Sequence, residues 1–123
     1  MSEPNPDSGE SLDDLLATLA RNVPWSGRQD ENSFLGRLAE EGVWDDAEHG
    51  RLEDTIVALI RPGETGEPAS EVFEVYARFC LLVRAHYDPH DIFRIADVDE
   101  IDLRDRIDRF EYVVRCFFHG EPP

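Results

Sequence analysis

The sequence predicts an all-α bundle of four to five helices, and three observations carry that prediction. Between Ser70 and His86, in "SEVFEVYARFCLLVRAH", Val72, Phe73, Val75, Tyr76, Phe79, Cys80, Leu82 and Val83 recur at helical spacing. Toward the C-terminus Leu103, Ile107, Phe110, Val114 and Phe117 form a second seam, spaced four, three, four and three. No run alternates apolar and polar residues over the length of a strand, and no internal repeat is evident.

The 70–86 segment is apolar around more than half of its circumference. Its polar residues Glu71, Glu74 and Arg78 leave only a narrow strip for water. A helix of that kind is expected at the centre of the bundle with at least two others packed on it. The expected core joins Phe73, Tyr76, Phe79 and Val83 to Ile56, Leu59, Ile107, Phe110 and Val114.

The remaining elements follow from local signals. Met1–Glu10 has prolines, a glycine and acids but no apolar residue beyond Met1, so it reads as a disordered acidic tail, with 11–123 as a single helical domain. Leu12, Leu15, Leu16 and Leu19 form a helical stripe with Ser11 as N-cap, ending near Asn22 ahead of Pro24. After the loop "PWSGRQDEN", Asp30, Asn32 or Ser33 can cap a second helix through Phe34, Leu35 and Leu38, with Gly42 as its stop. Asp45 followed by Glu48 reads as a capping-box variant opening a third helix, Asp46–Arg61. Its buried edge is Leu52, Ile56, Leu59 and Ile60, and its wet side Glu48, Arg51, Glu53, Asp54 and Thr55. "PGETGEP" links it to the 70–86 helix, which Asp88–Pro89 closes. Ile92, Phe93 and Ile95 are too apolar for open solvent and are expected to pin the following loop to the bundle. The last helix starts at about Asp97 or Asp99 and runs to His119, with Arg104, Asp108, Glu111 and Arg115 forming charged pairs on its outer side.

Composition narrows the function. The 123 residues are 41% hydrophobic, enough for one core without disulfides, and their net charge is −16. That charge repels nucleic acid and anionic membrane and favours a basic partner. Cys80 and Cys116 sit among apolar residues, as reduced core thiols of a cytoplasmic protein do. The longest apolar runs, Ile56–Ile60 and Phe79–Val83, are far short of the ~20 residues of a membrane span.

Catalytic signatures are absent: there is no phosphate-binding glycine loop, G-x-S-x-G, H-E-x-x-H or C-x-x-C. His86, Asp88, His90 and Asp91 have the residue types and spacing of a metal site. Pro89 interrupts them and no third distant His or Cys completes the set, so an aspartate-capped loop is the expectation, with no metal and no cofactor. Trp25 and Trp44 stand beside loops, either as exposed anchors for a partner or as buried staples. The acids are the more informative feature: Asp45, Asp46 and Glu48 open the third helix, and Asp97, Asp99, Glu100, Asp102 and Asp105 crowd the start of the last. Part of that enrichment serves the helix dipoles, and the excess either meets a partner or only keeps the protein soluble.

The runs Arg21–Ile56 and Ala85–Phe110, through the pieces "NSFLGRL", "VWDDAEHGRLE", "HYDPHDIFRI" and the closing "FFHGEPP", resemble the immunity proteins of bacterial polymorphic-toxin systems, and among them the immunity protein 41 family. The resemblance implies a cytoplasmic antidote that binds a cognate toxin domain; it assigns no binding residue. Combined with the residue reading, it gives a non-enzymatic immunity protein, monomeric or weakly dimeric. Its expected contacts to a basic toxin face are Asp45, Asp46, Glu48, Asp97, Asp99, Glu100, Asp102, Asp105, Trp25 and Trp44. Two other readings of the residues are a helical regulatory or adaptor module for another cytoplasmic protein, and a small metal enzyme using His86, Asp88 and His90.

Overall fold

Helices begin in this chain where a short polar side chain takes up a backbone N–H that the first turn leaves free. In the computed structural model, which describes residues 11–23, 26–60 and 66–123, four of five helices start this way. Ser11 caps α1 (Leu12–Ala20) and closes a capping box with Asp14. Ser33 caps α2 (Phe34–Glu41), accepting from Gly36 N at 3.0 Å. Asp45 caps α3 (Asp46–Ala58), accepting from Glu48 N at 3.0 Å. Asp99 caps α5 (Glu100–His119), accepting from Asp102 N at 2.9 Å. Between α3 and α5 runs the longest helix, α4 (Gly66–Tyr87). The N-terminal tail, Pro24 and Trp25, and the 61–65 part of the link before α4 lie outside the described residues.

The architecture is all-α, as the periodicities require, and no strand occurs among the described residues. Helix α3 lies against α1 and α5, while α4 packs on α1, α2 and α5. The core is built on rings: Phe79 and Phe110 have centroids 4.6 Å apart, Phe34 meets Trp44 at 4.9 Å and Trp44 meets Phe79 at 6.0 Å, in the tilted and edge-on arrangements that aromatic quadrupoles favour. Ile56, Leu59 and Val114 from the expected core are buried around them, and Tyr76, Val83 and Ile107 pack half-buried at its edge. A polar tie sits beside the rings. Buried Asn22 donates to Thr18 O at 3.1 Å and accepts Leu35 N at 2.9 Å, while its carbonyl accepts Arg78 Nη1 at 2.9 Å. One side chain and its carbonyl thereby satisfy groups from α1, α2 and α4.

Several expectations need correction. Phe73 is 57% exposed: α4 presents Val72, Val75 and Phe79 inward, and neighbouring helices cover too little of its circumference to take the other apolar residues. The expected wet strip is half-buried at Glu71, Glu74 and Arg78, and the open face carries Phe73, Leu81 and Arg84 instead. Helix α4 starts at Gly66, ahead of Ser70, because a proline such as Pro68 is tolerated in a first turn. Helix α3 stops at Ala58, and Leu59 and Ile60 tighten into i→i+3 bonds before the proline-restricted link. Likewise α1 ends at Ala20, with Asn22 and Val23 in i→i+3 turns. Thr55, assigned to the wet side of α3, is buried and donates to Arg51 O at 2.8 Å. Ile92 is fully exposed, so Ile95, buried, and Phe93, half-buried, hold the α4–α5 loop without it. The charged pairs expected along α5 are replaced: Arg104 turns back to Glu100 at 2.8 Å, and Glu111 accepts the Tyr76 hydroxyl at 3.0 Å.

The α4–α5 loop is fixed from both sides. Ile95 N donates to His86 Nδ1 at 2.9 Å and Ala96 N to Gly42 O at 2.9 Å. Gly42 closes α2 in the left-handed region at φ +67, and a Cβ there would overlap the carbonyl oxygen of Arg94.

Two substitutions test this packing. Phe110→Ala should cost about 3–5 kcal/mol in urea unfolding, the range for a large aromatic in a close-packed core, and a loss below about 1 kcal/mol would put Phe110 outside it. Gly42→Ala should cost at least about 1–2 kcal/mol, since left-handed strain adds to the overlap with Arg94. Unchanged stability would mean that the α4–α5 loop does not depend on this close approach.

Candidate functional site: an acidic face where two helices begin

The structure puts most of the sequence-selected acids to internal use before any remain for a partner. Asp45, besides capping α3, holds Arg37 Nη1 at 2.6 Å; the Glu48 N–H and then the Arg37 guanidinium keep its carboxyl below the usual aspartate value. Glu48 is drawn toward α1, accepting Arg21 Nη1 at 3.1 Å, and Arg21 also holds Asp30 at 3.0 Å. Asp97 Oδ1 accepts Trp44 N at 2.9 Å, and Asp99 is spent as the α5 cap. Glu100 accepts Arg104 Nε at 2.8 Å and the Tyr87 hydroxyl at 2.7 Å, and these two donors, Arg104 first, hold its carboxyl below the usual glutamate value.

Arg106 joins the two acid groups. Its guanidinium pairs with Asp46 at the start of α3, reaches Asp102 one turn back on α5 at 3.6 Å, and lies 5.7 Å over the ring of Trp44. Asp46 and Asp102 therefore belong to one face, with side chains 77% and 56% exposed. Asp105, one turn on from Asp102's neighbours, is exposed on the outer side of α5 and has no bond to a described residue. Glu48 is not part of this face, because Arg21 holds it to α1.

Trp44, selected as an exposed anchor, is 3% exposed and belongs to the ring core; its Nε1 has no hydrogen-bond acceptor among the described residues. Trp25 lies outside the described residues. The histidine cluster is held in local turns: His86 Nδ1 accepts Ile95 N, Asp88 Oδ1 accepts His90 N at 2.8 Å, and Asp91 Oδ1 accepts Phe93 N at 2.8 Å. Among the described residues no group of three His, Cys, Asp or Glu side chains converges in a way that would hold a metal ion. Cys116 is buried, Cys80 half-buried, and both are free thiols.

Sequence reasoning missed a second charged cluster. His49 is packed among Phe34 at 4.9 Å, Trp44 at 5.0 Å and Phe110 at 5.8 Å. Its Nε2 lies 3.1 Å from Glu53 Oε2 without hydrogen-bond alignment, each side chain 13% exposed, and Arg109 Nε approaches the other Glu53 oxygen at 3.4 Å. The i,i+4 spacing of His49 and Glu53 was the available signal. Burial raises the Glu53 carboxyl, but His49 and Arg109 outweigh it and bring it below its ordinary value of 4.5.

These features define a class: a small, acidic, all-helical protein with a charged face where two helices begin, with His49 in its core and His86 tied to the α4–α5 loop. Among known families, the model for immunity protein 41 matches residues 21–121, and the chain belongs to that family. Neither curated proteins nor solved structures give a match. No helix among the described residues is long and apolar enough to cross a membrane.

Because the folded-state value of Glu53 is depressed, its contribution to stability is full above the ordinary value and is lost as pH falls through the folded one. Glu53→Gln should therefore lower stability by about 1 kcal/mol at pH near 7, with the difference from wild type shrinking once the pH is taken below the ordinary carboxyl value of 4.5. Urea titrations at both pH values check this, and a difference independent of pH would sink it.

Proposed function

We propose that this protein binds and neutralises a cognate toxin domain in the cytoplasm, with no catalytic step, metal or cofactor of its own, and that the acidic face where α3 and α5 begin guides the toxin in. Family membership supports the antidote role. The observation that carries the choice of surface is the bridge through Arg106, which gathers Asp46 and Asp102 from helices 60 residues apart by the Arg106–Asp46 pairing while leaving their outer edges in water. A single arginine between two aspartates leaves a net negative patch, and Asp105 adds to it.

The physical rationale is kinetic. An antidote must capture its toxin before damage accumulates, and complementary charge raises association by roughly tenfold to a thousandfold, an advantage that salt removes. The net charge of −16 provides the long-range field, and a toxin with a basic contact face would respond to it.

The test is stopped-flow association with a cognate toxin domain, at low and high salt. Asp46→Asn, Asp102→Asn and Asp105→Asn combined should slow association several-fold and flatten its salt dependence, with a smaller change in dissociation, as expected for rim charges. The substitutions spare Asp45, Asp97 and Asp99, which hold the backbone. Rates insensitive to salt and equal for wild type and variant would reduce the charge to a solubility feature.

A further inference from the structure

A cleft of about 440 Å³ opens between α1, the residues after it and the first turns of α4. Leu16, Ala20 and Val23 form an apolar wall, Ser70, Glu71 and Glu74 stand along its α4 side, and Ser26 and Arg28 line it from the loop. Unlike most of the acids at the start of α3 and α5, Glu71 and Glu74 make no side-chain hydrogen bond or ion pair with a described residue. They lie three apart on one helix face, both half-buried. Two carboxylates three apart at the edge of this cleft offer paired acceptors to a cation that enters it.

The cleft thus has two requirements, a positive head and an apolar stem. Lysine and arginine side chains meet both, since their methylenes lie along apolar surface while the charge reaches outward. Arg28 makes no ion pair with either glutamate. The adjoining open face of α4 adds an aromatic and an aliphatic contact: Phe73, 57% exposed, and Leu81, 64% exposed, lie on one row of the helix through Ala77, and Glu74 follows Phe73 directly. In a chain that is 33% charged, such exposed apolar residues near a cleft with an apolar wall have the make-up of an interface centre.

We propose that this cleft receives a lysine or arginine side chain of the partner protein, carried on a segment whose neighbouring apolar residues lie on Phe73 and Leu81. That the partner is the toxin domain rests on the toxin-binding reading above; the preference of the cleft for a cationic side chain does not.

The cleft is tested alone by titrating isotope-labelled protein with N-acetyl-lysine methylamide and with the uncharged norleucine analogue, following backbone amide signals. The lysine probe should move the signals of Leu16, Ala20, Val23, Glu71 and Glu74, the norleucine probe should not, and Glu71→Gln with Glu74→Gln should weaken the lysine response at least about tenfold. Equal responses to the two probes, or shifts centred on Asp102 and Asp105 instead, would overturn the proposal. Binding seen only after Arg28→Ala would make Arg28 the occupant, and concentration-dependent shifts of the unliganded protein at the same amides would make it a second copy; either result also overturns it. With the toxin domain, the Glu71/Glu74 pair and a Phe73→Ala, Leu81→Ala pair should each speed dissociation about tenfold. If these leave toxin affinity unchanged while the Asp46/Asp102/Asp105 variant slows association, the cleft inference falls and the proposed function stands. If the lysine probe binds as expected but the toxin domain does not bind at all, the cation site stands and the toxin reading falls.

Discussion

The arrangement of the acidic face depends on how the segment after α2 grips the loop before α5. The carbonyl of Gly42 accepts the N–H of Ala96, and two residues on, the N–H of Trp44 goes to the side chain of Asp97. These two hydrogen bonds join stretches more than 50 residues apart in sequence (Trp44 and Asp97 differ by 53), and they set the starts of α3 and α5 side by side. Only then can Arg106 reach across from α5 to Asp46. The left-handed turn at Gly42 is the enabling condition, because a side chain there would occupy the space of the Arg94 carbonyl. Charge at the surface is placed by hydrogen bonds of the backbone between two loops.

The same dependence explains the division between what the sequence discloses and what it conceals. Helix ends are local events, decided by residues within a turn of each other, and Ser11 and Asp45 as caps and Gly42 as a stop could be assigned from the residue types around them, while the start of α5 was narrowed to Asp97 or Asp99. The α5 seam was legible for a related reason: its period is that of a helix buried along one side, and Leu103, Phe110, Val114 and Phe117 are buried. Helix α4 misled because apolar residues surround it, and periodicity cannot say which of several greasy faces finds neighbours; Val72 did and Phe73 did not. Ile92 and Ile95 show the same ambiguity within a loop.

For the candidate site, residue type was legible and partnership was not. Aspartates crowding two helix starts could be counted, but their number conflated three roles: caps such as Asp45 and Asp99, a tertiary acceptor in Asp97, and surface charge in Asp46, Asp102 and Asp105. The meeting of the two groups through Arg106 depends on tertiary placement, and so does the envelopment of His49 by Phe34, Trp44 and Phe110. Trp44 was drawn inward by that same aromatic assembly. Its depth makes it part of the frame beneath the acidic face.

The spending of Asp45, Asp97 and Asp99 on backbone N–H groups also divides the molecule by its freedom to diverge. A change at any of these three disturbs a helix start or the α4–α5 loop before it touches recognition. Asp105, Glu71 and Glu74 carry no bond to a described residue, and Phe73 and Leu81 stand largely outside the core, so exchange at these positions leaves the scaffold standing. Under the proposed function, a lineage can therefore retune which partner it recognises, or acquire cross-recognition of a second, by drift confined to the outer positions of α4 and α5, without passing through an unfolded ancestor.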